Sequence, residues 1–195
     1  MADTASLPAA RAAIRPHRFT LKEFFEIYET TLHKTGLRYE LLDGGIYEMP
    51  SDGPRTKRWN GAIARWLFDS LGPEYVIMPD KTLEAVEHWG PSPDFYVFDA
   101  SLREEDVHGP DVLLAIEVSD TTLNDDLKLK RPGYEQAGLR ELWIMDVENR
   151  TNLVHRLGPD GVYGEPRKVA FEEKAEAQLV PGLKLRLSDL PRLRA

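Results

Sequence analysis

The 195-residue sequence predicts an α/β protein in which one mixed β-sheet is flanked by helices. Apolar runs at 95–98, 112–116 and 142–145 are typical of strands that are buried on both faces. Apolar stripes at helical spacing lie before and between these runs. The length fits one domain with a sizeable core, and no repeat or composition break indicates a boundary. We therefore expect a flexible N-terminal tail at 1–19 and a single domain at 20–195.

The first predicted elements are a helix and a β-hairpin. Thr20 is a candidate N-cap, and Glu23 three residues later completes a capping box. Apolar residues at helical spacing predict a helix over 21–33. Two short alternating runs on either side of Asp43-Gly44-Gly45 predict a hairpin over 38–49, because such a pair of glycines after aspartate favours a tight turn.

A second helix is predicted over 55–71, and Gly72-Pro73 ends it. Four basic side chains lie largely off its apolar stripe. They form either a solvated helix face or a surface that binds phosphate. The net charge is -8, but residues 1–70 carry 10 Lys and Arg against 9 Asp and Glu. A phosphate-facing surface is therefore expected in the first third of the chain, and its candidate nucleic-acid-binding residues are Arg55, Lys57, Arg58 and Arg65.

The rest of the chain alternates between strands and a helix. Thr121 or Asn124 is a candidate N-cap for this helix, which Gly138 ends. Pro132 leaves two alternatives, because proline inside a helix removes a hydrogen bond and clashes with the preceding turn. Either the helix kinks there, or it begins there and 126–130 is a separate turn. The strands are predicted near 75–78, 82–86, 94–98, 112–118, 141–147, 153–157 and 183–187.

Acidic residues and a lysine lie at or after the predicted strands in an order that suggests a cation-binding site. Asp94 begins one strand, Glu117 ends another, and Asp126 and Lys130 come at the start of a helix. Such a set can hold a hard divalent cation with an ammonium beside it. Structural alternatives remain, since Asp94 can simply begin a strand and Glu117 can form a buried ion pair with Lys130. An acid/base pair of a glycosidase is a further alternative, against which the lysine argues.

The order of these motifs resembles the Uma2 family (DUF820) of the PD-(D/E)XK nuclease-like superfamily. The resemblance extends from about Thr20 onward and includes the hairpin at 38–44 and the segment 179–183. The motifs that carry it are Pro93-Asp94, Glu117-Val118-Ser119-Asp120, Asp126-x3-Lys130-x3-Tyr134-x2-Ala137-Gly138 and Glu141-Leu142-Trp143-Ile144-Met145-Asp146.

The resemblance implies a restriction-endonuclease-like fold and a metal-dependent endonuclease that acts on DNA. Asp94 and Glu117 would then be catalytic residues that hold Mg²⁺ or Mn²⁺. The superfamily pattern has a catalytic lysine two residues after the second acid, where this chain has Ser119. Lys130 resembles a lysine that the adjacent helix supplies instead. By the same likeness, supporting roles fall to Glu40, Asp126 and Tyr134.

The chain departs from the family pattern at one position. Members of the family often have a histidine after the loop 50–54, where this chain has Arg55-Thr56-Lys57. A catalytically inactive nuclease-fold protein that binds nucleic acid or a protein partner is therefore the alternative.

A homodimer is expected, since two strand cuts suit two sites related by a twofold axis. Without cysteine, signal peptide or membrane-spanning run, the chain is expected in the cytoplasm, and the expected surface histidines are His88, His108 and His155.

Overall fold

The structure is a computed structural model that describes residues 15–84 and 86–190. Its first elements are α1 (Leu21–Thr30), an antiparallel hairpin of β1 (Arg38–Leu42) and β2 (Gly45–Met49), and α2 (Pro54–Ser70). The predicted capping box is present, because the Thr20 hydroxyl accepts the Glu23 N–H and the Glu23 carboxylate accepts the Thr20 N–H. The predicted first helix, hairpin and second helix are thus confirmed, with α1 ending three residues early.

A six-stranded mixed sheet forms the centre of the molecule. Its strands are β3 (Tyr75–Pro79), β4 (Phe95–Asp99), β5 (Leu114–Ser119), β6 (Glu141–Asp146), β7 (Thr151–Arg156) and β8 (Arg167–Val169). They lie side by side in that order, with β5 and β6 parallel and each other neighbouring pair antiparallel. A small antiparallel pair, β9 (Lys174–Glu176) and β10 (Lys184–Arg186), follows. The predicted fold class is confirmed.

The central strand β5 divides its side chains between two hydrophobic clusters. Leu114, Ile116 and Val118 pack in the cluster that contains α2 residues such as Ile63. Ala115 lies in the other cluster, with Tyr134. Because side chains alternate along a strand, Glu117 points to the Tyr134 side, where the next helix covers the sheet.

That helix is continuous, but it widens before Pro132. It consists of α3 (Leu123–Asp125), a π-helical turn (Asp126–Lys130) and α4 (Arg131–Gln136). The Arg131 N–H bonds to the Asp126 carbonyl five residues earlier, so the proline falls in the first turn of α4, where its missing N–H is tolerated. The alternative in which the helix begins at Pro132 is wrong, because helical backbone precedes the proline from Leu123 onward. A helix that continues through Pro132 is confirmed, with a widened turn before the proline, and a kink at that point stays a prediction. Gly138, at φ 75°, follows the helix as predicted.

One predicted strand and one predicted surface residue are wrong. Around the predicted strand 82–86, the described residues form a loop in which Val86 makes an isolated bridge to Trp89. Leu83 is buried, and its N–H donates to the Pro91 carbonyl, so a loop buries this apolar side chain without strand pairing. His155 lies on β7 and is 1% exposed, because β7 is an interior strand of the sheet.

The predicted N-terminal tail is described only in part, since its residues 1–14 lie outside the described range. Arg18 pairs with Asp43 and the Phe19 N–H donates to the Gly44 carbonyl, so this end contacts the β1–β2 turn. Within 15–84 and 86–190, no helix is both long and apolar enough to span a bilayer.

Candidate functional site

Asp94 and Glu117 lie at the ends of two neighbouring strands. Phe95 pairs with Ile116 in the β4–β5 register, so Asp94 comes opposite Glu117 one step further on. The Asp94 carboxylate accepts the Val118 N–H at 2.7 Å and an amide N–H of Asn60 at 2.9 Å. Burial raises the pKa of Asp94 to about 6, which these two bonds counteract only in part. The site therefore has a carboxylate whose charge is incompletely stabilised.

Glu117 is 3% exposed, and one of its two oxygens makes both of its hydrogen bonds. Oε1 accepts from the Tyr134 hydroxyl at 2.6 Å and from Lys130 Nζ at 3.2 Å. Burial raises the pKa of Glu117 well above its usual range, although the Lys130 charge opposes the shift. In the described parts of the chain no donor contacts Oε2, so this oxygen is available to a ligand.

Lys130 is the cation at the centre of the site. Its Nζ lies 3.1 Å from Glu40, 3.2 Å from Glu117 and 3.8 Å from Asp126. Burial alone would lower the pKa of Lys130, but the charges of Glu117, Glu40 and Asp126 outweigh burial and hold the pKa above its usual range. The three surrounding carboxylates thus favour the charged ammonium form of Lys130.

The two other acids are held differently. Asp126 accepts from the Ser119 hydroxyl at 2.6 Å and the Thr122 hydroxyl at 3.0 Å, which fixes its orientation. Glu40, on β1, is 1% exposed, and its Oε2 has no hydrogen-bond partner. Burial raises the pKa of Glu40, against the effect of Lys130. The structure therefore brings the catalytic and supporting residues predicted from the sequence into one cluster.

A pocket of about 180 Å³ gives access to this cluster, and Asp94, Glu117, Asp126 and Lys130 line it. The other charged residues of the lining are also mainly acidic, with one basic residue, Arg38, and four acidic ones: Glu48, Asp52, Asp120 and Asp125. The described residues contain no group of three or more His, Cys, Asp or Glu side chains arranged to hold a metal ion.

The donor set nevertheless fits a hard divalent cation. Mg²⁺ is commonly held by one or two carboxylates and keeps several waters, so three protein carboxylates are not required. The oxygen donors, the free Glu117 Oε2 and the raised pKa of Asp94 all match what a bound cation would stabilise. Mn²⁺ shares the preference for carboxylate and water.

The four bases of α2 do not form one surface at the pocket. Arg55 forms an ion pair with Asp120, which lines the pocket. Lys57 is two residues further on and points to the opposite side of the helix. Arg65 pairs with Asp69 and lines a different pocket. Like Lys57, Arg58 is exposed. A role of these residues in nucleic-acid binding stays a prediction.

Two contacts of the site were missed by the sequence reasoning. Asn60 binds Asp94 from α2, across 34 positions of chain, and no local pattern marks it. Ser119 holds Asp126 and follows Glu117 by two positions on the same strand. Because residues i and i+2 of a strand share a face, the position of Ser119 was a usable signal.

Comparisons with known proteins agree with this fold. The family described as "Uma2: Putative restriction endonuclease" matches residues 21–188. A crystal structure of "a putative nuclease belonging to DUF820" from Anabaena variabilis ATCC 29413 has a TM-score of 0.70 and 19% identity, over 90% of this chain and 99% of that one. That likeness confirms the fold. No curated protein matches this sequence. Because the family match covers most of the chain, the protein belongs to the Uma2 family.

Proposed function

We propose that this protein is an endonuclease that hydrolyses phosphodiester bonds in DNA and depends on Mg²⁺ or Mn²⁺. The observation that carries the proposal is the placement of Asp94 beside Glu117 in one pocket, with Lys130 Nζ 3.2 Å from Glu117. The description of the family as a restriction endonuclease supports DNA as the substrate.

In this proposal each residue has a separate role. Asp94 and Glu117 would hold the cation, which when bound supplies Lewis acidity and lowers the pKa of water. Lys130 orients Glu117 and provides a fixed positive charge for the phosphate as negative charge develops on it. Tyr134 is neutral, because burial beside Glu117 raises its pKa well above its usual range, and it holds Glu117 by a hydrogen bond. Asn60 holds Asp94 in the same way.

The proposal is tested by calorimetric titration with Mn²⁺ and by plasmid nicking. Asp94→Asn and Glu117→Gln keep the shape of each side chain and remove its charge. We expect each to weaken Mn²⁺ binding and to lower the nicking rate at least about hundredfold, because transition-state stabilisation of a few kcal/mol is lost. Asp125→Asn is the matched control: Asp125 is an exposed residue of the same pocket that makes no ion pair with a described residue. Equal nicking rates of the wild type, the two site variants and the Asp125→Asn control would overturn the proposal.

The alternative is a nuclease-fold protein without catalytic activity that binds nucleic acid or a protein partner. The acidic lining of the pocket and the pairing of Arg55 with Asp120 favour its protein-binding form, since both oppose the approach of a polyanion such as nucleic acid. Mn²⁺ binding without nicking of duplex or single-stranded DNA would support this alternative. The predicted homodimer is tested on the same samples by light scattering.

A further inference from the structure

A second pocket, of about 700 Å³, lies between α1, β1, the loop 80–84 and the segment 104–107. Among the described residues it shares with the first pocket only Arg38. Its volume is within the range of small-molecule sites. Apart from Val107, its apolar lining residues are aromatic: Phe25, Tyr28 and Tyr39 are at least partly exposed, whereas Phe24 and Tyr96 are buried.

The charge of this second pocket is negative. Six carboxylates line it, against two bases, which are already paired. Arg38 lies 2.7 Å from Asp80, and Lys81 lies 3.2 Å from Glu104. In contrast, the lining carboxylates Glu29 and Glu84 form no ion pair with any described residue. An anionic ligand is therefore disfavoured, and a cation is favoured.

Glu40 connects this pocket with the first cluster. The residue lines the second pocket, but its carboxylate lies 3.1 Å from Lys130 Nζ and both of its oxygens are buried. Direct contact with a ligand therefore falls to the exposed carboxylates Glu29 and Glu84.

We propose that the second pocket binds a small organic cation, with an ammonium or guanidinium group held by the aromatic rings and by the free carboxylates. Aromatic faces attract such cations through their quadrupole, whereas they offer nothing to a hard metal ion, which needs oxygen ligands. The described residues also hold no group of three or more acids or histidines arranged for a metal. The proposal does not depend on nuclease activity.

The test is a calorimetric titration of the full-length, EDTA-treated protein with cadaverine, an aliphatic diamine, and with the matched neutral diol. We expect cadaverine to bind and the diol not to bind. Tyr28, which is 36% exposed at the edge of the pocket, supplies the variants. Tyr28→Ala should weaken cadaverine binding roughly tenfold, while Tyr28→Phe should retain it because the ring remains. Glu84→Gln should also weaken binding, and thermal unfolding verifies that each variant is folded.

The location is tested with Tyr47→Ala, which alters the lining of the first pocket, and with amide chemical shifts on addition of cadaverine. We expect Tyr47→Ala to bind like the wild type and the shifts to concentrate around Tyr39, Ser92 and Tyr96. Binding that Tyr47→Ala abolishes and Tyr28→Ala leaves intact would overturn the proposal. Equal binding of diamine and diol would overturn it as well, as would binding of a lysine-rich peptide without any binding of cadaverine.

Discussion

At the scale of single residues, Lys130 decides whether the acidic cluster is stable. Replacing it by methionine keeps its length but leaves three buried carboxylates without their cation. We expect Lys130→Met to lower the free energy of unfolding by about 3–5 kcal/mol at pH 7, as for a broken buried ion pair. Urea denaturation measures this change.

The matched control is Lys128→Met, because Lys128 lies in the same helical turn but is exposed. It should change the free energy of unfolding by less than about 0.5 kcal/mol. Adding Glu117→Gln to Lys130→Met should recover part of the loss, because one buried charge is then removed. Equal effects of the two lysine substitutions would contradict the arrangement described above.

His155 provides a prediction about pH. Burial, and then the neighbouring Arg131, lowers the pKa of His155 from 6.5 to about 4. The unfolded chain therefore takes up this proton first as the pH falls, so the stabilising contribution is complete above pH 6.5 and is lost toward pH 4. We expect a loss of up to about 3 kcal/mol between these limits.

His155→Gln cannot titrate, so its unfolding free energy should lack this part of the pH dependence. His108→Gln, at an exposed position, should follow the wild type. Denaturant unfolding at several pH values between 4 and 7 compares the three proteins. Parallel profiles of wild type and His155→Gln would show that the histidine titrates normally in the folded protein.

At the scale of elements, the loop before β4 and the helix α4 fit closely against each other. A β-carbon added at Gly133 would lie 2.2 Å from Trp89 Cε3, and Trp89 is buried. We expect Gly133→Ala to destabilise the fold by about 1–2 kcal/mol, since overpacking outweighs the higher helix propensity of alanine.

Thermal or urea unfolding measures the effect of this substitution. Gly164→Ala is the control, because nothing lies within 4 Å of its added β-carbon and its φ is not positive. This control should be near neutral. If Gly133→Ala were as stable as the control, the loop and α4 would be less tightly packed than described.

At the scale of the whole molecule, a cation bound at Asp94 and Glu117 should stabilise the fold. A ligand at a hundredfold excess over its Kd contributes about 2.7 kcal/mol. For a chain of this length this corresponds to an increase in Tm of roughly 5–10 °C. Thermal unfolding with Mn²⁺ and with EDTA measures the increase.

The double variant Asp94→Asn, Glu117→Gln should lose most of this increase, whereas Asp125→Asn should retain it. An equal increase in all three proteins would place Mn²⁺ elsewhere on the protein, whose net charge is -8.

The sequence alone determined the fold class and most of the residues of the candidate site. Periodicity locates α1, α2 and the buried strands, because alternation and helical spacing are local properties of the chain. The order of Asp94, Glu117, Asp126 and Lys130, together with the family resemblance, identifies a cluster that the structure brings together.

Only the tertiary structure decided how these residues interact. The Asn60–Asp94 contact and the burial of His155 depend on elements that are distant in sequence. Lys130 lies among three carboxylates, of which two, Glu40 and Glu117, are also distant from it in sequence. The charge balance of the site, and with it the direction of each pKa shift, follows from burial and distance, which local sequence patterns do not encode.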